Sequence, residues 1–372
     1  MFVLGIMSGT SIDSVDYALC SVSLRQIQLL RQWQVKYPRL LQQRLHQAAQ
    51  SLANAGELAQ LHHDLGRFYA RHALPDSLRV KPELAGLHGQ TVFHRPSRTA
   101  PAILQLGEPA YLAEMLRVPV VSNFRAADVA AGGEGAPLAT VFHRMVFGRK
   151  GQHVCVNNLG GISNITSIDS TLKAEPTVLA FDTGPANVLI DLAMRYFTRG
   201  QAQMDRNGAW AVRGRVCETA LKQWLTHPYF LRKPPKSTGR ELFGEPFWQR
   251  VLPQMRTARL SRFDIVATLT ELTARSLALN CKLHLKSWPQ TFILTGGGAA
   301  NPALVKSIQA ALAAAGPGTE LLTSEMSGWP LQSVEPAAFA LLAYLRIKRQ
   351  TGNLPQTTGA RRAVRLGQIS DP

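Results

Sequence analysis

An apolar run over residues 2–7 breaks into Gly, Ser, Thr and Asp and resumes as a second apolar run over 17–22. Two such runs around a small-residue turn predict a β-hairpin. Residues 40–73 then carry helical periodicity, with Leu58, Leu61, Leu65 and Phe68 on one face. A strand at 103–106, a helix at 109–116 and a strand at 119–121 follow. After Gly132-Gly133-Glu134-Gly135-Ala136-Pro137 the opening pattern starts again. An apolar run over 153–157 meets Leu159-Gly160-Gly161-Ile162-Ser163-Asn164, and a further run covers 165–168. Later, the run 178–181 leads into Asp182-Thr183-Gly184-Pro185 and a helix from residue 186. The run 291–294 leads into Gly296-Gly297-Gly298 and a helix over 303–313. Long helices are predicted near 263–283 and 336–347. The Pro-, Lys- and Arg-rich stretch 228–243 reads as an ordered functional loop or a connector.

The echo between the two hairpins says more than either copy. It predicts a duplicated α/β architecture with a cleft between two lobes. The first lobe takes residues 1–133, with 345–372 packing back on it, and the second takes 134–344.

Composition narrows the function. The chain has 372 residues, with 45 % hydrophobic and 17 % charged positions, which is a folding composition. Lys and Arg total 41 against 24 Asp and Glu, a net charge of +17. The basic residues are scattered, with no aromatic-interleaved stripe, so nucleic acid is not an expected partner. Such a surface suits an anionic small molecule. Cys20, Cys155, Cys217 and Cys281 lie far apart with no C-x-x-C pair, which predicts reduced thiols. The N-terminus lacks a basic n-region, and no apolar stretch approaches the ~20 residues of a membrane span. A soluble cytoplasmic protein with no membrane partner is expected.

Four constellations carry candidate chemistry. In the run from Gly5 to Asp16, Gly9, Thr10, Ser11, Ile12, Asp13, Ser14 and Val15 precede Asp16. Small residues there let backbone N–H groups approach an anion, and Asp13 and Asp16 can serve Mg²⁺ or its waters. An ordinary hairpin turn has the same composition. The second turn, with Gly160, Gly161 and Asn164, strengthens the phosphate reading, because a nucleotide held between two lobes needs two such loops. Asp182 reads either as a helix N-cap or as a general base at the carboxyl end of a strand. Gly296, Gly297 and Gly298 leave bare backbone for a flat ligand. The run His88-Gly89-Gln90-Thr91-Val92-Phe93-His94-Arg95-Pro96 offers polar groups suited to sugar hydroxyls, with His88 and His94 individually read as structural.

Taken together, these motifs resemble the anhydro-N-acetylmuramic acid kinases of bacterial cell-wall recycling. The resemblance runs nearly end to end. It rests on Met7-Ser8-Gly9-Thr10-Ser11, His88-Gly89-Gln90-Thr91, Asn123-Phe124-Arg125, Asp128-Val129-Ala130-Ala131-Gly132-Gly133, Gly135-Ala136-Pro137-Leu138 and Asn158-Leu159-Gly160-Gly161. It continues through Phe181-Asp182-Thr183-Gly184-Pro185, Asn207-Gly208-Ala209-Trp210, Pro235-Lys236-Ser237-Thr238-Gly239-Arg240-Glu241, Gly296-Gly297-Gly298 and Thr358-Gly359-Ala360.

The resemblance implies the duplicated actin/hexokinase-type (ribonuclease H-like) α/β fold and Mg-ATP. The nucleotide would lie against residues 9–16, Gly160, Gly161, Asn164, Gly184 and Gly296–Gly298, with Asp13 reaching Mg²⁺ through water. It implies that Asp182 activates a water that opens the 1,6-anhydro ring while O6 takes the γ-phosphate. Gln90, Thr91 and Glu335 would contact the amino sugar, with Arg125 and Asp128 organising that side. The family often forms homodimers. This chain departs from the family's usual pattern at Ser14 and Ala186, where Gly is usual. It also has Asn123 for Asp, Glu134 for Gln, and Pro336 for a small residue. Those departures motivate a competing class, a nucleotide-binding regulator on the same fold, with a turn strained at Ser14 if that residue needs φ > 0.

Overall fold

The computed structural model describes residues 1–76, 78–95, 100–171 and 175–372. Pro96, the last residue of the His88 run, lies outside them. The described residues form strands β1 (Phe2–Ser8), β2 (Ser14–Val22), β3 (Ile27–Lys36), β4 (Leu84–Arg95), β5 (Ala102–Leu106), β6 (Val120–Ser122), β7 (His153–Leu159), β8 (Ile162–Asp169), β9 (Thr177–Pro185), β10 (Thr291–Thr295), β11 (Glu320–Thr323) and β12 (Gln368–Ser370). They fall into two compact units, one of residues 1–146 with 332–372 and one of residues 147–331. The divisions expected at 133/134 and 344/345 thus stand beside observed ones at 146/147 and 331/332. Helix Val334–Ile347 stays whole in the first unit, because it lies on β1 and β4.

In the first unit the sheet runs β3-β2-β1-β4-β6-β12, with β5 beside β4. In the second it runs β9-β8-β7-β10-β11. Each starts with an antiparallel meander of three strands and continues with parallel neighbours, β4 and β6 or β10 and β11. The same order twice is the expected duplication.

Central strands β1 and β7 are buried along almost their whole length, as strands covered on both faces should be. Edge strand β3 alternates instead, turning Trp33 and Val35 toward the core. Helix Val334–Ile347 sits so close to the first sheet that a Cβ at Gly5 would run into the Pro336 carbonyl, and one at Gly86 would meet Ala343 Cβ at 2.9 Å. In the second unit, helix Arg262–His284 opens with a capping box from Ser261 and Asp264. It sends Leu269 and Leu272 into one apolar cluster, with Phe230, Phe243 and Trp248, and Leu277 and Cys281 into another, with Phe181 and Phe292.

Two expectations need correction. The periodicity over 40–73 is broken into helices Arg39–Ala49 and Ala55–His72. Ser51 takes φ 61, and Asn54 starts afresh by accepting from the Glu57 amide while Glu57 accepts from Asn54 N. Nor does the strand before Asp182 stop at 181. Strand β9 continues to Pro185, because Gly184 and Pro185 pair with Ser163 and Ile162 of β8.

The four cysteines are free. Among the described residues, no helix is long and apolar enough to cross a membrane.

Candidate functional site

The first unit places its candidates around the turn between β1 and β2. Ser8 Oγ lies 2.8 Å from the Tyr37 hydroxyl and 3.1 Å from that of Tyr69, which anchors the end of β1. Gly9 O accepts from Ile12 N and from Gln90 Nε2, so the turn is held from both sides. Ile12, not Ser14, carries the left-handed conformation, at φ 58. A β-branched residue there is a rare conformation that persists only when its surroundings impose it. Here the imposing contacts are a side chain in the core and a carbonyl that accepts from Gln42 Nε2 at 2.8 Å. Ser14 is a buried strand residue, so the strain expected of it is absent.

Ile12 and Val15 point into the core, and only their backbone is available to a ligand. Asp13 is exposed and its Oδ1 accepts from Ser11 Oγ at 2.6 Å. Asp16 accepts from Gln34 Nε2 at 2.7 Å. Burial pushes the Asp16 carboxyl up to about 7; the Gln34 bond works against this, while the charges of Glu335 and Asp13 add to it. Glu335 stands in the first turn of the Val334–Ile347 helix, so three carboxyls share one neighbourhood.

The sugar-side candidates separate by burial. Gln90 is fully buried, and its amide donates to Gly9 O and Thr91 O. It supports the turn directly. Thr91 is half-buried and accepts from Gln105 Nε2. His88, also buried, donates from Nδ1 to Gly89 O, which leaves Nε2 to accept from Arg125 Nε at 3.0 Å. Burial and the Arg125 charge hold this imidazole well below its usual range, consistent with that neutral tautomer. Arg125 Nη1 donates to Gly135 O. Asp128 is fully buried and accepts from Gly135 N, Asn353 Nδ2 and Thr358 Oγ1, tying helix Phe124–Ala130 to the C-terminal segment.

In the second unit, Gly160 and Gly161 form the two-residue turn between β7 and β8. Their carbonyls accept from the amides of Ala186, Asn187 and Val188, the start of helix Asn187–Phe197. Asn164 pairs across the sheet with Asp182. Gly296, at φ 79, sits where a Cβ would overlap Asn158 Oδ1. That oxygen is buried without a hydrogen-bond partner among the described residues. A Cβ on Gly297 would meet nothing within 4 Å. An unsatisfied acceptor beside open, glycine-lined backbone fits an adenine nucleotide, whose amino and hydroxyl groups are donors. Asn301, beyond the glycines, caps helix Pro302–Ala315 by accepting from Ala303 N and Leu304 N. Gly184 is buried, and a Cβ there would meet Phe230 Cε1 at 2.6 Å, so its glycine serves packing.

Asp182 lies inside β9. Its Oδ2 accepts from Thr238 N at 2.9 Å, its amide donates to Lys236 O at 3.2 Å, and its carbonyl accepts from the Tyr229 hydroxyl at 2.8 Å. The N-cap of the following helix is Ala186, with no side-chain cap, so Asp182 does not cap it. Thr238 Oγ1 is buried beside this carboxylate with no hydrogen-bond partner among the described residues. Sequence assigns no role to the neighbours Tyr229, Lys236, Thr238 and Asn280. Lys236 and Thr238 fall in the Pro235–Glu241 run that carries the family resemblance, whereas Tyr229 and Asn280 lie outside it.

Asp13 and Asp16 would offer Mg²⁺ the hard carboxylate oxygens that ion prefers. Among the described residues, no group of three or more His, Cys, Asp or Glu could hold a metal alone.

The sequence profile of the anhydro-N-acetylmuramic acid kinase family matches residues 1–372. The Microcystis aeruginosa protein of that name is 40 % identical over 379 residues, covering 99 % of this chain and all of its own. The one from a Cyanothece species is 40 % identical over 380 residues, covering 99 % of each. Among solved structures, the activator of the 2-hydroxyisocaproyl-CoA dehydratase from Clostridium difficile with bound ADPNP covers 94 % of this chain and 96 % of its own. It does so at 10 % identity with a TM-score of 0.46. Matched from first residue to last by the profile and over 99 % of its length by both relatives, the chain belongs to the anhydro-N-acetylmuramic acid kinase family.

Proposed function

We propose that this protein uses ATP and water to convert 1,6-anhydro-N-acetylmuramic acid into N-acetylmuramic acid 6-phosphate and ADP, in the cytoplasm. Family membership supports the reaction. The observation that carries its chemistry is Asp182, a carboxylate inside a strand, held by a backbone N–H and not used as a cap.

The steps balance. Asp182 accepts a proton from a water whose oxygen bonds to C1. The C1–O6 bond breaks, and O6 takes the γ-phosphoryl group as the bond to the β-phosphate breaks. No acid is needed for the departing O6, because phosphorus takes the place of a proton. Positioned general-base action of this kind contributes about 10²–10⁴-fold.

Mg²⁺, held by Asp13 through water and by the phosphates, would neutralise charge on the transferred group. The backbone of residues 9–11 would offer N–H donors to the phosphates, while Gly296 and Gly297 would admit the nucleoside against bare backbone. Thr91, Arg125 and Glu335 would meet the sugar, with His88 fixing the Arg125 plane. Gln90 and Asp128 would act through the backbone they hold.

Incubation with Mg-ATP and the anhydro sugar, followed by mass spectrometry, tests this. One ADP should appear for each 6-phosphorylated, ring-opened sugar. ATP binding without sugar phosphorylation would sink the reading.

A further inference from the structure

Lys236 is an unexpected charge to find inside a protein. Its side chain is buried, and Nζ donates to Tyr229 O at 3.2 Å, Phe230 O at 3.1 Å and Asn280 Oδ1 at 2.5 Å. Those partners use all three ammonium donors. His284 Nε2 stands 3.5 Å away, and the rings of Tyr229 and Phe181 face Nζ at 4.9 and 5.6 Å.

Each anchored element touches the Asp182 segment a second time. Tyr229 donates its hydroxyl to Asp182 O. Asn280 Nδ2 donates to Thr183 O at 3.1 Å. The carbonyl of Lys236 accepts from Asp182 N, and two residues on Thr238 N donates to the Asp182 carboxylate. One ammonium therefore ties together the Pro228–Leu231 helix, the Arg262–His284 helix and the 236–238 segment, on whose positions the Asp182 backbone and side chain depend.

We infer that Lys236 is a positioning residue for the Asp182 carboxylate, acting through Tyr229, Asn280 and Thr238. The inference rests on the reading of Asp182 as general base. An effect on turnover follows from geometry, because small misplacement of a reacting group is costly in rate. Burial, followed by the Arg232 charge, lowers the ammonium to about 8, while the Asp182 charge opposes that shift. An unfavourable burial retained in a functional segment agrees with such a role.

The test is a double-mutant cycle on the full-length protein, with Lys236→Met, Asp182→Asn and the pair, reading kcat and KM for ATP and the anhydro sugar. Lys236→Met should lower kcat at least tenfold, with both KM values within about threefold of wild type. Adding it to Asp182→Asn should cost nothing more, because the group it positions is already gone. Wild-type kcat in Lys236→Met, or the same fold loss in both backgrounds, would overturn the inference. Should Lys236→Met fail to fold, Asn280→Ala removes the ammonium's side-chain acceptor and is read in the same cycle, with a smaller loss and the same non-additivity expected. If Asp182→Asn alone keeps more than a tenth of wild-type turnover, the general-base reading fails instead.

Discussion

The backbone amide of Thr238 lies 2.9 Å from Oδ2 of Asp182, two residues that are 56 positions apart in the chain. The carboxylate thus takes its direction from the 236–238 segment, not from the helix that follows its own strand. Sequence left two readings of Asp182 open, and the cap reading ends at Ala186, which occupies the N-cap position with no side-chain bond.

Asp128 holds the first unit's C-terminal segment in place. Asp128→Ala leaves the donors Gly135 N, Asn353 Nδ2 and Thr358 Oγ1 buried without an acceptor. The expected loss is about 3 kcal/mol or more, measured by chemical unfolding. Asp128→Asn should cost less, since one oxygen remains, but its NH₂ must then face a donor. Wild-type stability in the alanine variant would contradict this account.

Gly5 is a packing glycine. In Gly5→Ala the new Cβ must displace the Pro336 carbonyl, which is backbone and cannot rotate away. Overpacking of this kind costs about 1–3 kcal/mol. Glu335, the proposed sugar contact, precedes Pro336, so under that proposal KM for the sugar should rise while KM for ATP changes less. Unchanged stability and an unchanged sugar KM would show that the helix adjusts freely.

Ser14→Gly tests the departure at that position. Ser14 is a strand residue, so glycine relieves no strain there and weakens the strand by about 0.5–1 kcal/mol. Calorimetric titration should show no gain in ATP affinity. Tighter binding by the variant would mean that the Ser14 side chain crowds the nucleotide.

Acid should destabilise the protein through its buried histidines. Burial pulls His143 down to about 3, and burial with the Arg125 charge keeps His88 well below its usual range. Between pH 6.5 and about 3 the unfolded chain binds protons that the native His143 refuses. Stability is therefore fully present above 6.5 and lost as pH falls, by up to about 1.4 kcal/mol per pH unit for each such histidine. His143→Gln should flatten unfolding free energy against pH between 6 and 4 by about one proton's worth. An unchanged slope would contradict the assignment.

What sequence revealed and what it hid divide along the range of the interactions. Both hairpins were legible because a small-residue turn between apolar runs is a local signal, as at Gly160 and Gly161. The extension of β9 through Pro185 was not, since it depends on pairing with Ile162 and Ser163. The break between Ala49 and Ala55 was masked because the apolar spacing of Leu58, Leu61 and Leu65 looks continuous with the preceding residues. Lys236 illustrates the site's hidden part. The stretch 228–243 reads from sequence as an ordered functional loop or a connector, and only tertiary structure brings Asn280 and two carbonyls around this lysine. Gln90 reads from sequence as a sugar contact, while its burial and its service to the Gly9 carbonyl depend on tertiary structure.

Turnover of Asp182→Asn measures the central claim most directly. The substitution keeps side-chain size and an oxygen able to accept from Thr238 N, and it removes the proton acceptor. kcat should fall by about 10²–10⁴-fold, with the unfolding temperature and ATP binding little changed. Retention of more than a tenth of wild-type turnover would show that Asp182 is structural and that the proposed mechanism is wrong.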